Sequence, residues 1–208
     1  MVPIARWIGY GGATNFHGGG LETVSWAAGL LAATQRIAVF AALHTVAKNP
    51  FVPAKQLATL DQIGGGRAGL NIVAGWNEPE YRALGFTLPR DHATRYAYAQ
   101  EWFDIVQALW ARDRPFDWPG QFFDLHQAHG DPKPLSGRLP ILNAAGSPAL
   151  RSFAVANADF LFTPAIDLDR SAEEVAAMKA QARQAGKILD VLTFAHVVCR
   201  LSSYGARR

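Results

Sequence analysis

The chain has 208 residues, half of them apolar and 18% charged, with 20 Lys+Arg against 17 Asp+Glu and a formal net charge of +3. That composition excludes disordered, collagen-like and low-complexity classes, and so small a surplus with no basic cluster carries no nucleic-acid footprint. The single cysteine, Cys199, excludes an internal disulfide and suits a reducing compartment, while no apolar run nears the ~20 residues of a membrane span and the start of the chain lacks a signal peptide's form, so a cytoplasmic protein with no membrane partner is expected.

In chain order, residues 2–8 form a short apolar run, stopped by the turn-rich Gly9-Tyr10-Gly11-Gly12. Residues 22–34 read as a helix with Val24, Ala27, Ala28 and Leu31 on one face, and residues 36–43 (RIAVFAAL) as a buried strand. A helix over 50–63 runs into Gly64-Gly65-Gly66. The strand 68–74 (AGLNIVA) follows. Residues 75–138 form a long excursion, within which 91–110 is the longest helix. The pattern then repeats: strands at 139–145, 159–163 and 191–199, with helices at 148–156 and 171–185.

Continuously apolar strands separated by helices mean a parallel α/β sheet covered on both faces. The glycines of Gly11-Gly12 and Gly18-Gly19-Gly20 have the wrong spacing for a dinucleotide-binding turn. A TIM (β/α)8 barrel is therefore the expected fold. Six strands fall short of eight, and a complete barrel takes about 250 residues. The chain is expected to hold a partial barrel over residues 1–200 and an irregular tail over 201–208, completed by another copy or truncated.

In such a barrel, chemistry sits at the C-terminal ends of strands. That rule selects Arg6 and Trp7, His44, Asn71, Trp76, Glu78, Glu80 and His196. Asn71 stands out because a buried amide costs free energy without partners; a ligand and the barrel backbone serve equally to satisfy it. Ala145-Gly146-Ser147-Pro148 is a strand-to-helix turn whose exposed N–H groups suit a phosphate, although simple capping by Ser147 is the commoner use. Arg95 and Tyr96 would add a guanidinium and a phenol to that anion; alone they read as a solvated and a packed helix residue. His126 and His129 have a ligand-like spacing but lie in a stretch read as an irregular loop, with no third ligand, so no metal site is expected. Cys199 reads as a buried thiol.

The segments ARWIGYGG, RIAVFAALHTVAKNPFVPAKQLATLDQIGGGRAGLNIVAGWNEPEYRALG, RYAYAQEWFDIVQALW and ILNAAGSPA resemble the bacterial luciferase-like flavin monooxygenases, in the pyrimidine, dimethyl-sulfone and alkanesulfonate branch. The resemblance covers residues 2–200. It implies a TIM-barrel oxidoreductase that takes reduced FMN from a separate flavin reductase and uses O2 to oxygenate a small organosulfur or N-heterocyclic substrate. It implies flavin contacts at Ala5, Arg6, Asn71 and Glu80, and phosphate and ribityl contacts at Arg95, Tyr96 and Ser147. Asn71 faces the ring on this reading, and His196 matches a histidine near the substrate. Two alternatives stand beside it: a catalytically inactive fragment, since the family's first strand and its C-terminal continuation have no counterpart here, and a deazaflavin-dependent oxidoreductase of the same superfamily. The aromatic, Ala-rich helix surface is compatible with a homodimer.

Overall fold

The fold is read from a computed structural model that describes residues 21–89, 91–144, 148–163, 165 and 167–194. The expected strand at 2–8, together with Ala5, Arg6, Trp7, Ser147, His196 and Cys199, lies outside the described residues.

Helix α1 (Thr23–Ala33) starts where the Glu22 carboxylate accepts from Ser25 N at 2.7 Å. Strand β1 (Val39–His44) follows, beginning three residues later than its apolar run suggests. The difference has a cause. The Arg67 guanidinium donates to the carbonyls of Leu31, Thr34 and Ile37, so residues 34–38 are spent closing the end of α1. Helix α2 (Phe51–Gly64) leads to β2 (Ala68–Val73), and the excursion then contains α3 (Glu78–Ala83), α4 (His92–Ala111), β3 (Phe116–Pro119) and β4 (Asp124–Ala128). The chain returns through β5 (Ile141–Ala144), α5 (Pro148–Asn157), β6 (Phe160–Phe162), α6 (Leu168–Gln184) and β7 (Asp190–Leu192).

Strands β1, β2, β5, β6 and β7 form one parallel sheet in that order, each joined to the next by at least one helix. Ala41, Leu43, Leu70, Ile72, Ile141 and Leu161 point toward the helices, where they meet Leu57, Leu60, Phe103, Ile105 and Leu109 in the main core. The other face curls upon itself. The rings of Phe40 in β1 and Phe160 in β6 meet edge-on with centroids 5.7 Å apart. Those strands are three steps apart, about 14 Å in a flat sheet, so the sheet bends toward this face as a barrel wall does. Gly69 of β2 lets the Phe40 ring cross, because a Cβ there would fall 2.5 Å from it.

Four further sequence readings need correction. Residues 116–128, read as irregular, form the antiparallel hairpin β3–β4, and His126 lies in β4. Residues 78–83, given no element of their own within the excursion, form α3. The last strand stops at Leu192 and does not extend through Thr193 and Phe194. Helix α6 starts three residues early because Asp167 accepts from Arg170 N at 3.1 Å.

Candidate functional site

The C-terminal ends of β2 and β5 open into a cavity of about 250 Å³. Val73, Ala74, Gly75 and Trp76 wall one side, Asn143 and Ala144 another, and α4 supplies His92, Arg95 and Tyr96. Helix α4 aims these residues because Asp91 caps it, accepting from Thr94 N at 2.7 Å. This fixes the first turn, on which Arg95 and Tyr96 sit. Arg95 is buried, contrary to its reading as a solvated helix residue, and its Nη1 donates to the Gly75 carbonyl at 3.2 Å. Tyr96 is half-buried, and burial pushes its phenol up to about 12 against the opposing pull of Arg95. It therefore stays neutral and able to donate a hydrogen bond at any physiological pH.

Beneath this wall is a second polar layer. His44, the last residue of β1, is 4% exposed, and its Nδ1 lies 2.6 Å from the Tyr81 hydroxyl. Tyr81, on α3, is 1% exposed and stands against Gly75. Gly75 has φ +104°, and a Cβ there would fall 2.8 Å from the Tyr81 oxygen and 2.7 Å from Leu88 Cδ1. Only glycine fits. Burial lowers the His44 pKa below its ordinary value, with Glu80 pulling the other way. Burial, then Glu80, raises that of Tyr81, which Arg95 opposes. Glu80 itself is buried and accepts from Asn77 Nδ2 at 3.3 Å. The structure thus brings Glu80, Arg95 and Tyr96 into one region of the molecule.

Asn71 is placed differently. It lines a second cavity of about 210 Å³ with Trp26, Phe40, Ala42 and Leu142. The two cavities follow one another along the strands: Asn71 and Leu142 serve this one, and Val73 and Ala144, two positions on, serve the cavity of Arg95. Asn71 is 8% exposed, and its Oδ1 meets no hydrogen-bond donor among the described residues. A buried acceptor without a donor is unfavourable, so a group that donates to Asn71 gains affinity there. His126 and His129 belong to no such site; each lies beside its own aspartate, Asp124 at 3.5 Å and Asp131 at 2.7 Å. Among the described residues, no group of three or more His, Cys, Asp or Glu is placed to hold a metal ion. No helix among them is long and apolar enough to cross a membrane. Trp76, at 56% exposed, lies at the cavity's outer rim. Sequence reasoning passed over Asn143 and Tyr81, one a polar interruption of an apolar strand, the other inside a helix too short to predict.

The luciferase-like monooxygenase family model matches residues 5–208. The chain belongs to that family. It is 34% identical over 187 residues to the pyrimidine monooxygenase RutA of Cronobacter sakazakii, with 86% of this chain and 53% of the relative aligned. It thus spans about half the length of the curated relatives it matches. Two solved structures fix the fold. A riboflavin lyase, RcaE, crystallised with modified FMN and its substrate riboflavin, superposes with TM-score 0.76 at 23% identity, over 84% of this chain and 44% of that one. An F420-dependent secondary alcohol dehydrogenase superposes with TM-score 0.73 at 23% identity, over 84% and 54%. The parallel sheet is therefore part of a luciferase-like TIM barrel, and both cavities lie along its strands.

Proposed function

We propose that this chain carries the flavin site of a monooxygenase that uses reduced FMN and O2 to oxygenate a small organosulfur or N-heterocyclic substrate. The observation that carries the reading is a buried guanidinium in a cavity at the strand C-termini, adjoined by a cavity holding an unsatisfied strand amide. A flavin mononucleotide is elongated, with a flat ring at one end and a dianionic phosphate at the other, and two largely apolar cavities in series, each with a few polar groups, suit that shape. Kinship at 34% identity with a pyrimidine monooxygenase supports the reaction class and the N-heterocyclic side of the substrate range.

Arg95 would bind the phosphate through charge-assisted hydrogen bonds, and the neutral Tyr96 phenol would donate one more. Asn71 would hold the ring by an amide hydrogen bond while Phe40 and Leu142 exclude water from it. Bound reduced FMN supplies the electrons with which O2 is activated. Glu80 would place negative charge beside the flavin site, with Asn77 fixing its carboxylate. By the resemblance of the flanking segments, Ala5, Arg6 and Ser147 complete the flavin contacts and His196 stands near the substrate. A separate flavin reductase is the proposed partner.

Anaerobic titration with reduced FMN and reduced riboflavin, followed by tryptophan fluorescence, tests the reading. Wild type should saturate with FMN. Arg95→Ala should weaken FMN by about 10- to 100-fold, since a hydrogen bond to a charged group is worth about 1.5–3 kcal/mol, and leave riboflavin nearly unchanged. Equal losses for both ligands would make Arg95 structural, and saturation by a deazaflavin in place of FMN would overturn the cofactor assignment.

A further inference from the structure

Strand β5 carries a second buried amide. Asn143 is 1% exposed, and its Nδ2 donates to the Ile72 carbonyl at 2.9 Å. That bond fixes which way the amide is turned, because the reverse orientation would set Oδ1 against another oxygen. Oδ1 is therefore directed elsewhere, and it meets no donor among the described residues. Asn143 also lines the cavity that contains Arg95 and Tyr96. A buried acceptor left unmatched is unfavourable, so a ligand that donates to it gains affinity there.

The chemistry of the donor restricts what this ligand presents. An amide oxygen only accepts, and the oxygens of a phosphate dianion only accept as well. Phosphate therefore suits Arg95 and does not suit Asn143. A hydroxyl or an N–H suits Asn143. A cavity of about 250 Å³ holding both a cationic donor and a neutral acceptor selects a ligand in which an anion and a hydroxyl are near neighbours. We infer that Asn143 Oδ1 accepts a hydroxyl of the polyol chain between phosphate and ring, so that Asn143 reads the ribityl segment as Arg95 reads the phosphate. The inference rests on the flavin reading above and adds to it a specificity residue that reading did not use.

Three oxidised flavins separate the parts: lumiflavin has the ring alone, riboflavin adds the ribityl chain, and FMN adds the phosphate. The 208-residue chain and its variants would be titrated with each, following flavin fluorescence. Asn143→Leu should weaken riboflavin and FMN alike, by about tenfold for one hydrogen bond to a buried acceptor, and leave lumiflavin unchanged. Arg95→Ala should weaken FMN alone. Loss of all three ligands in both Asn143→Leu and the milder Asn143→Ser would make Asn143 a packing residue and overturn the inference. Unchanged binding of all three would overturn it too, meaning that the acceptor is satisfied without the ligand. Wild type that binds none of the three, and no reduced FMN in the anaerobic titration above, would defeat the flavin reading itself, an outcome distinct from both.

Discussion

Strands β2 and β4 are similar in length and are held in place by different forces. All six residues of β2 are buried, between helices on one face and the curled interior on the other. Of the five in β4, only Ala128 is. Phe116 and Ala128 anchor the hairpin's open end in the core, and its turn is tied to α4 by a single carboxylate. Glu101 of α4 accepts from the backbone N–H groups of Gln121, Phe122 and Phe123 at 3.0–3.2 Å and from Trp118 Nε1 at 3.3 Å. Tyr98, one turn earlier, packs against the rings of Phe122 and Phe123. The sheet is thus positioned by apolar burial spread over many residues, and the turn of the hairpin by a polar clamp concentrated on one. A spread-out force tolerates small losses and fails globally, whereas a concentrated one fails locally and at once.

The contrast is broken most severely from the sheet side. Leu70 is fully buried between β1 and β5 and packed under the helices. Leu70→Ala should lower global stability by about 3 kcal/mol, as cavity-forming core substitutions do, and urea unfolding should show one transition moved to lower midpoint with unchanged slope. Glu101→Ala acts on the other side. Four donors lose a charged acceptor, but those at the turn stay partly open to water, so about 2 kcal/mol is expected. Its signature is local: amide exchange at Phe122 and Phe123 should quicken while Leu70 and Ile72 keep their protection. If exchange in β2 quickened equally, the hairpin would be part of the sheet's cooperative unit and the contrast would fail.

The same contrast explains what could be read in advance. Strands such as 68–73 and helices such as 92–111 announce themselves because their apolar residues are adjacent in sequence and burial is what forms them. The hairpin does not, since Phe116, Trp118, Phe123 and Leu125 are separated by polar and glycine residues and their organiser lies about twenty positions upstream. The site was legible in proportion to how local its logic was. Asn71 interrupts an apolar strand, and Arg95 and Tyr96 follow a visible cap at Asp91. That Asn71 serves one cavity and Arg95 the next depends on strand register, which no local pattern encodes. Tyr81 was invisible for the same reason: its partner His44 is 37 positions away, on the neighbouring strand.

That pair gives the smallest and most specific test. His44 is buried and its pKa is lowered, so the folded chain resists protonating it, while the unfolded chain protonates it at the ordinary value of about 6.5. Below that value the unfolded state binds the proton the folded state refuses, and stability falls as pH falls. Above it both states are neutral and the term vanishes. His44→Gln keeps a side chain able to bond the Tyr81 hydroxyl but removes the titration. The stability difference between wild type and His44→Gln should therefore be constant above pH 7 and shift against wild type as pH drops through 6.5, with Glu80 moderating the slope by its opposing pull. Urea midpoints from pH 5 to 8 measure this directly. Parallel curves would mean that His44 takes up its proton as readily in the fold as outside it, and that the polar layer under Gly75 is wetter than its burial indicates.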